Sequence, residues 1–486
     1  MASIEELRTT RLAKLEALKK AGMDPYPAKV PRTFCLEDAR KSFDEYEKAA
    51  NVVSLAGRII AIRGQGAIFF IVLDDGKSTF QAVFKKDVIK PDLMELFSQT
   101  VDIGDIISVT GTFFKTQRGE QSILVSSWTM AAKSLLPLPE KWHGLQDPDE
   151  KLRKRYLDFI MEPELRDLFK KKSKFWQVTR KFMEDQGFLE VETPTLEIST
   201  GGAEATPFKT HIDDLDMDVY LRISVGELWQ KRLMAAGFPK TFEIGRVYRN
   251  EGSSPEHAQE FTNLEFYWSY ADYKDGMELV IKLYRTIAQE VFGTTKFEYR
   301  GHKFDLADEW RSIDYAEEIM KQTGVDIHTA SDEELRQKLI SLKVTYEGAN
   351  RERFIDTLWK YCRKNISGPA FLVNHPTIVA PLAKSIVGKS DVVQMFQPII
   401  AGSEIGKGYS ELNDPQDQRM RFEAQRKLLE KGDTEAMMPD WEFVEMLDHG
   451  MPPTCGYGFG ERLFTILAGR PLREVQLFPL VRPKKP

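Results

Sequence analysis

Apolar residues recur at helical spacing near the start of the chain, at Ile4, Leu7, Leu12, Leu15 and Leu18, with charged residues between them. The pattern predicts an amphipathic helix over residues 3–22, ended by Gly22. Pro25, Pro27 and Pro31 then mark a connector that completes an N-terminal segment, 1–50. From Val52 the period shortens to alternating runs, VVSLAGRIIAIR, AIFFIVLDD, STFQAVF, DIISVTGTFFKT and QSILVSSWTM, separated by turn residues and interrupted once by a helical stretch near Lys90–Gln99. Short strands at this spacing predict a small closed β-barrel over 51–135. A proline-bearing linker, 136–160, leads to a long helical run from Pro163 to Gln186, and GFLEVETPTL predicts a short strand closing at Pro194. Residues 161–486 form the second large region, in which Asp272–Asn365 is helical in period, highly charged, and reads as an insertion into a sheet. The class expected is α+β.

The most informative stretch is FEIGRVYRNEGSSPEHAQEFTNLEFYW, Phe242–Trp268, two β-rich runs flanking a turn segment with Gly252, Ser253, Ser254 and Pro255. Alternation places Phe261, Asn263, Glu265 and Tyr267 on one face of the second strand, with Thr262, Leu264 and Phe266 on the other. On the first strand Arg249 falls with Val247 and Gly245, and the glycine leaves room for something to lie close to the sheet. An arginine, a ring and an acid so arranged suit a phosphate, a purine and an amine. Further along, GSEIGKGYSELNDPQDQ places Glu404 and Glu411 seven residues apart, so strict alternation sets them on opposite faces unless the strand is irregular at Gly406 or Gly408. In PPTCGYGFGERLF, glycines 456, 458 and 460 permit a close strand–helix approach and Arg462 opens the helix.

Composition narrows the setting. The chain has 486 residues, 42% hydrophobic and 29% charged, enough for two or three domains, and no apolar run approaches a membrane span. Its start carries no secretory pattern. The three cysteines, Cys35, Cys362 and Cys455, are far apart, so a reduced, cytoplasmic setting without structural zinc is expected. A net charge of −6 argues against nonspecific coating of nucleic acid. It leaves room for a local basic patch at Arg153–Arg155, Lys170–Lys172 or Arg482–Lys485, acting within a screening length of about 8–10 Å.

YRNEG followed by EH and EF resembles the second signature motif of the class II aminoacyl-tRNA synthetases, most closely those of the lysyl group. The helix and strand before Pro194 resemble the first motif, and GFGERLF the third. The resemblance runs from the leading helix to the terminal LFPLVRP and implies an anticodon-binding barrel of the oligonucleotide-binding type. Behind it would follow a catalytic domain of antiparallel sheet flanked by helices, and a homodimer through the first motif. It implies that ATP meets Arg249, Glu251, His257, Phe261, Glu404 and Arg462, with Arg249, Arg462 and His257 catalytic. L-lysine would meet Gly202, Glu227, Glu265, Tyr267, Tyr409 and Glu411, and magnesium would be held at Glu404 and Glu411. Anticodon bases of tRNA(Lys) would meet Phe70, Gln81 and Glu120.

There are departures from the family pattern. Ile62 falls where the family has a stacking arginine, Arg63 lying one residue away, and Thr206 stands where a basic residue is usual. Gln397 replaces a metal-binding glutamate, Lys407 an asparagine, and the third motif is one residue short. The resemblance implies ATP-dependent ligation of lysine to tRNA through a lysyl adenylate, with Glu265 and Glu411 supplying the negative charge that a buried ammonium requires. The competing readings are an aspartyl- or asparaginyl-type synthetase and a catalytically impaired tRNA-binding paralogue.

Overall fold

The Ser3 side chain accepts from the Glu6 backbone N–H, and the Ser3 N–H donates to the Glu6 carboxylate at 2.6 Å. This capping box starts the helix Ile4–Lys20, and Gly22, at φ +75°, ends it. The computed structural model describes residues 3–139, 147–200, 205–252, 254, 256–346, 350–431 and 436–484. The chain divides into two compact units, residues 1–165 with 481–486, and residues 166–480.

In the first unit the strands Val52–Gln65, Ile68–Asp74, Thr79–Lys85, Ile106–Lys115 and Gln121–Ala132 close into a barrel. The helix Pro91–Thr100 interrupts them, with proline in its first turn where a missing N–H costs nothing. Alternate residues such as Ile71, Leu73, Ala82, Phe84, Ile123 and Val125 fill the interior. The inward positions of the first strand change parity at a bulge between Ile59 and Ala61. Beside the barrel, Lys133 is wholly buried and donates to the Thr100 carbonyl (2.7 Å), Asp102 (2.7 Å) and Asp105 (2.8 Å), while Lys14 meets the other Asp102 oxygen at 2.6 Å.

The second unit is built on a mixed sheet. Its strands run in the order Leu189–Glu190, Lys240–Tyr248, Glu260–Ser269, Thr454–Gly460, Gly406–Ser410, Lys389–Ile400, Ala370–Pro376 and Arg311–Asp314. Most neighbours are antiparallel, and the two edge pairs are parallel. The helix Tyr273–Ile287, started by an Asp272 capping box, lays Leu279, Val280, Leu283 and Tyr284 into the core that also holds Phe266, Phe396 and Tyr457.

The structure departs from the sequence pattern in two places. The strand expected to close at Pro194 ends as a regular ladder at Glu190, because the Glu243 carboxylate takes the Thr193 backbone N–H (2.9 Å) and hydroxyl (2.7 Å) and turns the chain aside. The 272–365 segment carries strands as well as helices: a hairpin, Lys296–Tyr299 with His302–Asp305, and the sheet-edge strand Arg311–Asp314. Short strands inside a charged helical stretch leave too few alternations to be read.

Candidate active site

The central hairpin pairs Lys240–Tyr248 with Glu260–Ser269 in unbroken register, Gly245 opposite Asn263 and Val247 opposite Phe261. Phe261, Asn263, Glu265 and Tyr267 therefore face one way, into a cavity of about 350 Å³, a size suited to a small-molecule ligand. Arg249, Glu251, His257, Glu227, Glu404, Tyr409, Glu411 and Arg462 line the same cavity, as do Gln397 and Lys407. Gly202 lies outside the described residues.

The irregularity between Glu404 and Glu411 is a single extra residue. Opposite the strand Lys389–Ile400, Glu404 faces Ile399, whereas Gly408 faces Phe396, so four steps on one side match three on the other. That bulge restores both acids to the cavity side.

The glycines do different work from that expected. A Cβ on Gly456 would lie 2.1 Å from Glu411 Oε1, one on Gly458 2.8 Å from Glu265 Cγ, and one on Gly460 3.1 Å from the Phe261 ring. These positions leave room for cavity side chains lying across the strand rather than for a helix. Gly245 likewise makes room for the Arg222 guanidinium, 2.1 Å from where its Cβ would be. Arg222 in turn pairs with Glu243 at 2.6 Å beneath the site.

At one end of the cavity Arg249 lies 5.3 Å from the Phe261 ring centroid and donates to the Ile223 carbonyl. Arg462 donates to the Glu404 carbonyl (2.7 Å) and to His257 Nε2 (3.1 Å). An acceptor at Nε2 places the His257 proton on Nδ1, which donates to Ser254 Oγ at 2.7 Å. Crowding of the His257 ring by the cavity wall, and then the Arg462 charge, hold its pKa down to about 4. It is therefore a neutral hydrogen-bonding group here. Glu404 accepts from the Trp359 indole at 2.6 Å. Burial works against its ionisation, but Arg363, Trp359 and Arg462 outweigh that and its pKa is lowered.

The other end is acidic. Glu265 accepts from the Val225 N–H (2.7 Å), Asn263 (3.0 Å) and the Tyr267 hydroxyl (3.2 Å), all neutral donors. Burial and then the Glu227 charge push its pKa up to about 7. Glu227 opens the helix Glu227–Ala235 and accepts from the Tyr409 hydroxyl. Sequence reasoning missed Lys231, one turn along, whose Nζ lies 3.0 Å from Glu227 and 2.6 Å from Glu411. The i,i+4 spacing of glutamate and lysine in ELWQK was the available signal. Glu411 Oε2 is thus buried against the Lys231 ammonium, its ion-pair partner.

The metal assignment divides between its two residues. Among the described residues no group of three or more His, Cys, Asp or Glu side chains is placed to hold a metal ion. Glu404, ionised and beside Arg363 and Arg462, is of the kind that fits a magnesium ion arriving with a nucleotide, since magnesium is commonly held by one or two carboxylates plus substrate phosphates. Glu411 fits less well, because it lies against Lys231 at the acidic end rather than beside Arg363 and Arg462 as Glu404 does.

On the barrel, Phe69 packs inward against Phe97 while Phe70, across from Val83, points outward. Gln81 bonds Ser122 at 2.8 Å on the same outer face, and Glu120, just before the strand Gln121–Ala132, is exposed near Arg40. The Ile59/Ala61 bulge sends Ile62 into the core and sets Arg63 directly opposite Phe70. Alternation along the sequence could not reveal Arg63 because it assumes an unbroken strand. Two of the basic clusters proposed for RNA are partly structural: Arg155 is buried against Asp158 at 2.7 Å, and Lys172 pairs with Glu461 at 2.8 Å.

A nucleotide-sized cavity on a largely antiparallel sheet, bordered by a hairpin arginine and by an arginine opening a helix after a glycine-rich strand, defines a class II aminoacyl-tRNA synthetase. Residues 147–482 match the family described as tRNA synthetases class II (D, K and N), and residues 53–131 match the OB-fold nucleic acid binding domain. The chain is 41% identical to a lysine–tRNA ligase of Thermotoga maritima, over 99% of this chain and 97% of that one. It is 42% identical to those of Roseiflexus sp. (strain RS-1) and Moorella thermoacetica, over 99% of this chain and 99% and 98% of theirs. The chain belongs to the lysine–tRNA ligase family of class II synthetases.

Proposed function

We infer that the protein ligates L-lysine to tRNA(Lys) in two steps. The observation that carries this reading is the convergence of Glu227, Glu265 and Glu411 on the cavity whose far end is bordered by Arg249 and Phe261. Lysine's ammonium groups sit among the acids, with Tyr267 and Tyr409 beside its alkyl chain, and its carboxylate points toward Arg249. The carboxylate attacks the α-phosphorus of ATP, the bond to the bridging oxygen breaks, and pyrophosphate leaves lysyl adenylate behind. The attacking group is already ionised at neutral pH, so no general base is required. Positioning and charge stabilisation carry the step.

Phe261 stacks on adenine, with Glu251 beside it, and Arg249 and Arg462 hold the phosphates. His257 contributes a hydrogen bond and gains a proton only as phosphate charge arrives. Magnesium, held by Glu404, would neutralise phosphate charge. In the second step a hydroxyl of the terminal tRNA ribose attacks the carbonyl carbon and AMP leaves.

Anticodon recognition is assigned to Phe70, Gln81 and Glu120, with Arg63 opposite Phe70 as a further contact. A ring and a guanidinium on one exposed face suit stacked bases. A homodimer is part of the same reading, supported by the exposed Leu189, Leu196 and Ile198 beside the first-motif strand. So is a cytoplasmic setting, supported by three unpaired cysteines. Among the described residues no helix is long and apolar enough to cross a membrane.

The experiment is ATP–pyrophosphate exchange on the intact protein with each amino acid in turn. Lysine-dependent exchange is expected. Exchange with aspartate or asparagine instead, or tRNA binding without any exchange, would overturn the reading.

A further inference from the structure

Lys231 occupies the place where a substrate ammonium would be sought. Its Nζ is 3.0 Å from Glu227 and 2.6 Å from Glu411, and lies 5.5 Å, 5.7 Å and 5.9 Å from the Tyr409, Phe443 and Tyr267 ring centroids. The side chain is 1% exposed. It rises from the helix Glu227–Ala235 and its ammonium is enclosed by the three rings. Substrate must therefore share the acids with Lys231 rather than displace it.

We propose that Lys231 is a specificity-determining positioning residue, a built-in counter-ion that leaves this end of the cavity with two carboxylates unmatched by a cation and so matches it to amino acids bearing two ammonium groups. The proposal rests on the lysine-activating reading above and deepens it. Three carboxylates, Glu227, Glu265 and Glu411, face one ammonium, and Glu265 is held only by neutral donors. The α- and ε-ammonium groups of a diamino acid close that balance. An amino acid with a neutral side chain leaves a buried carboxylate uncompensated, which is strongly disfavoured. A pocket without Lys231 carries one charge more than lysine can neutralise, and takes up a proton instead of binding well.

The groups facing Glu411 are Glu227 and Lys231 from the helix, Glu265 and Tyr267 from the hairpin, Tyr409 from its own strand, and Cys455 from the neighbouring strand. Burial pushes Glu411 up to about 8, with Lys231 pulling against it and Glu227 adding to it. Removing Lys231 moves Glu411 further upward.

The test is lysine-dependent pyrophosphate exchange on the intact protein from pH 6 to 9.5, comparing wild type with Lys231→Met and Lys231→Arg. In Lys231→Met the acid limb of kcat/KM for lysine is expected to move up by about one pH unit. At pH 7.5 the KM for lysine should rise about tenfold, with the KM for ATP within about twofold of wild type. Lys231→Arg, which keeps the charge, should retain the wild-type limb. Where the methionine variant does not fold, Lys231→Gln serves the same comparison. An unmoved limb, or KM values for lysine and ATP rising together as a packing defect would make them, overturns the proposal. Absence of lysine-dependent exchange in wild type overturns the functional reading itself, so the two failures are distinguishable.

Discussion

Each of the two units buries a lysine against acids, and the two clusters differ in their balance. Beside the barrel, Lys133 donates to Thr100, Asp102 and Asp105, and Lys14 also meets Asp102. With Arg11 3.9 Å from Asp102 as well, cations are not outnumbered by anions there, and although burial works against ionisation, Lys133 and Lys14 outweigh it and lower the Asp102 pKa. In the catalytic unit Lys231 stands among three carboxylates, and burial drives Glu411 in the opposite direction, up to about 8. A buried ion cluster that closes on itself holds a fold together. One left in deficit is set to receive a ligand.

The largest effect expected from breaking this contrast is on stability. Lys133→Met leaves the buried Asp105 without its ammonium partner, and should cost about 3–5 kcal/mol in chemical unfolding followed by a barrel probe such as Trp128 fluorescence. The KM for lysine in the exchange reaction should barely move. Glu411→Gln is expected to lower kcat/KM for lysine by about a hundredfold or more while leaving the KM for ATP within about threefold, measured by the same exchange. Equal activity would remove Glu411 from the ammonium site. On the barrel face, Phe70→Ala should raise the KM for tRNA roughly tenfold in aminoacylation, as expected from one lost base stack, and leave exchange unchanged.

The smallest effect is the wild-type pH dependence. Glu411 must be ionised to take an ammonium, and its raised pKa keeps part of it protonated at neutral pH. The sign is therefore a fall in kcat/KM for lysine as pH drops, roughly tenfold from above pH 8.5 to pH 7, while lysine itself stays cationic.

Most of the fold could be read from periodicity, because the barrel strands and the central hairpin are half-buried and alternate cleanly, as Phe261, Asn263, Glu265 and Tyr267 do. Part of what could not be read comes from one-residue irregularities. The bulge after Ile59 turned Arg63 outward unseen, whereas that between Glu404 and Gly408 was inferred only because both acids were wanted on one face. Lys231 escaped notice because a lysine one turn after a glutamate ordinarily marks a solvated helix face. The space-making role of Gly456, Gly458 and Gly460 needs the cross-strand neighbours, which lie far away in the chain.

The claim at the centre of this account is that an excess of buried carboxylate selects the substrate. The most direct measurement compares lysine with norleucine, which has the same unbranched chain without the terminal ammonium, in pyrophosphate exchange by the wild-type protein. Norleucine is expected to be disfavoured in kcat/KM by roughly a thousandfold or more, as for any site whose buried polar groups would be left unpaired. Norleucine activated within about tenfold of lysine, the margin a purely apolar pocket allows, would contradict it.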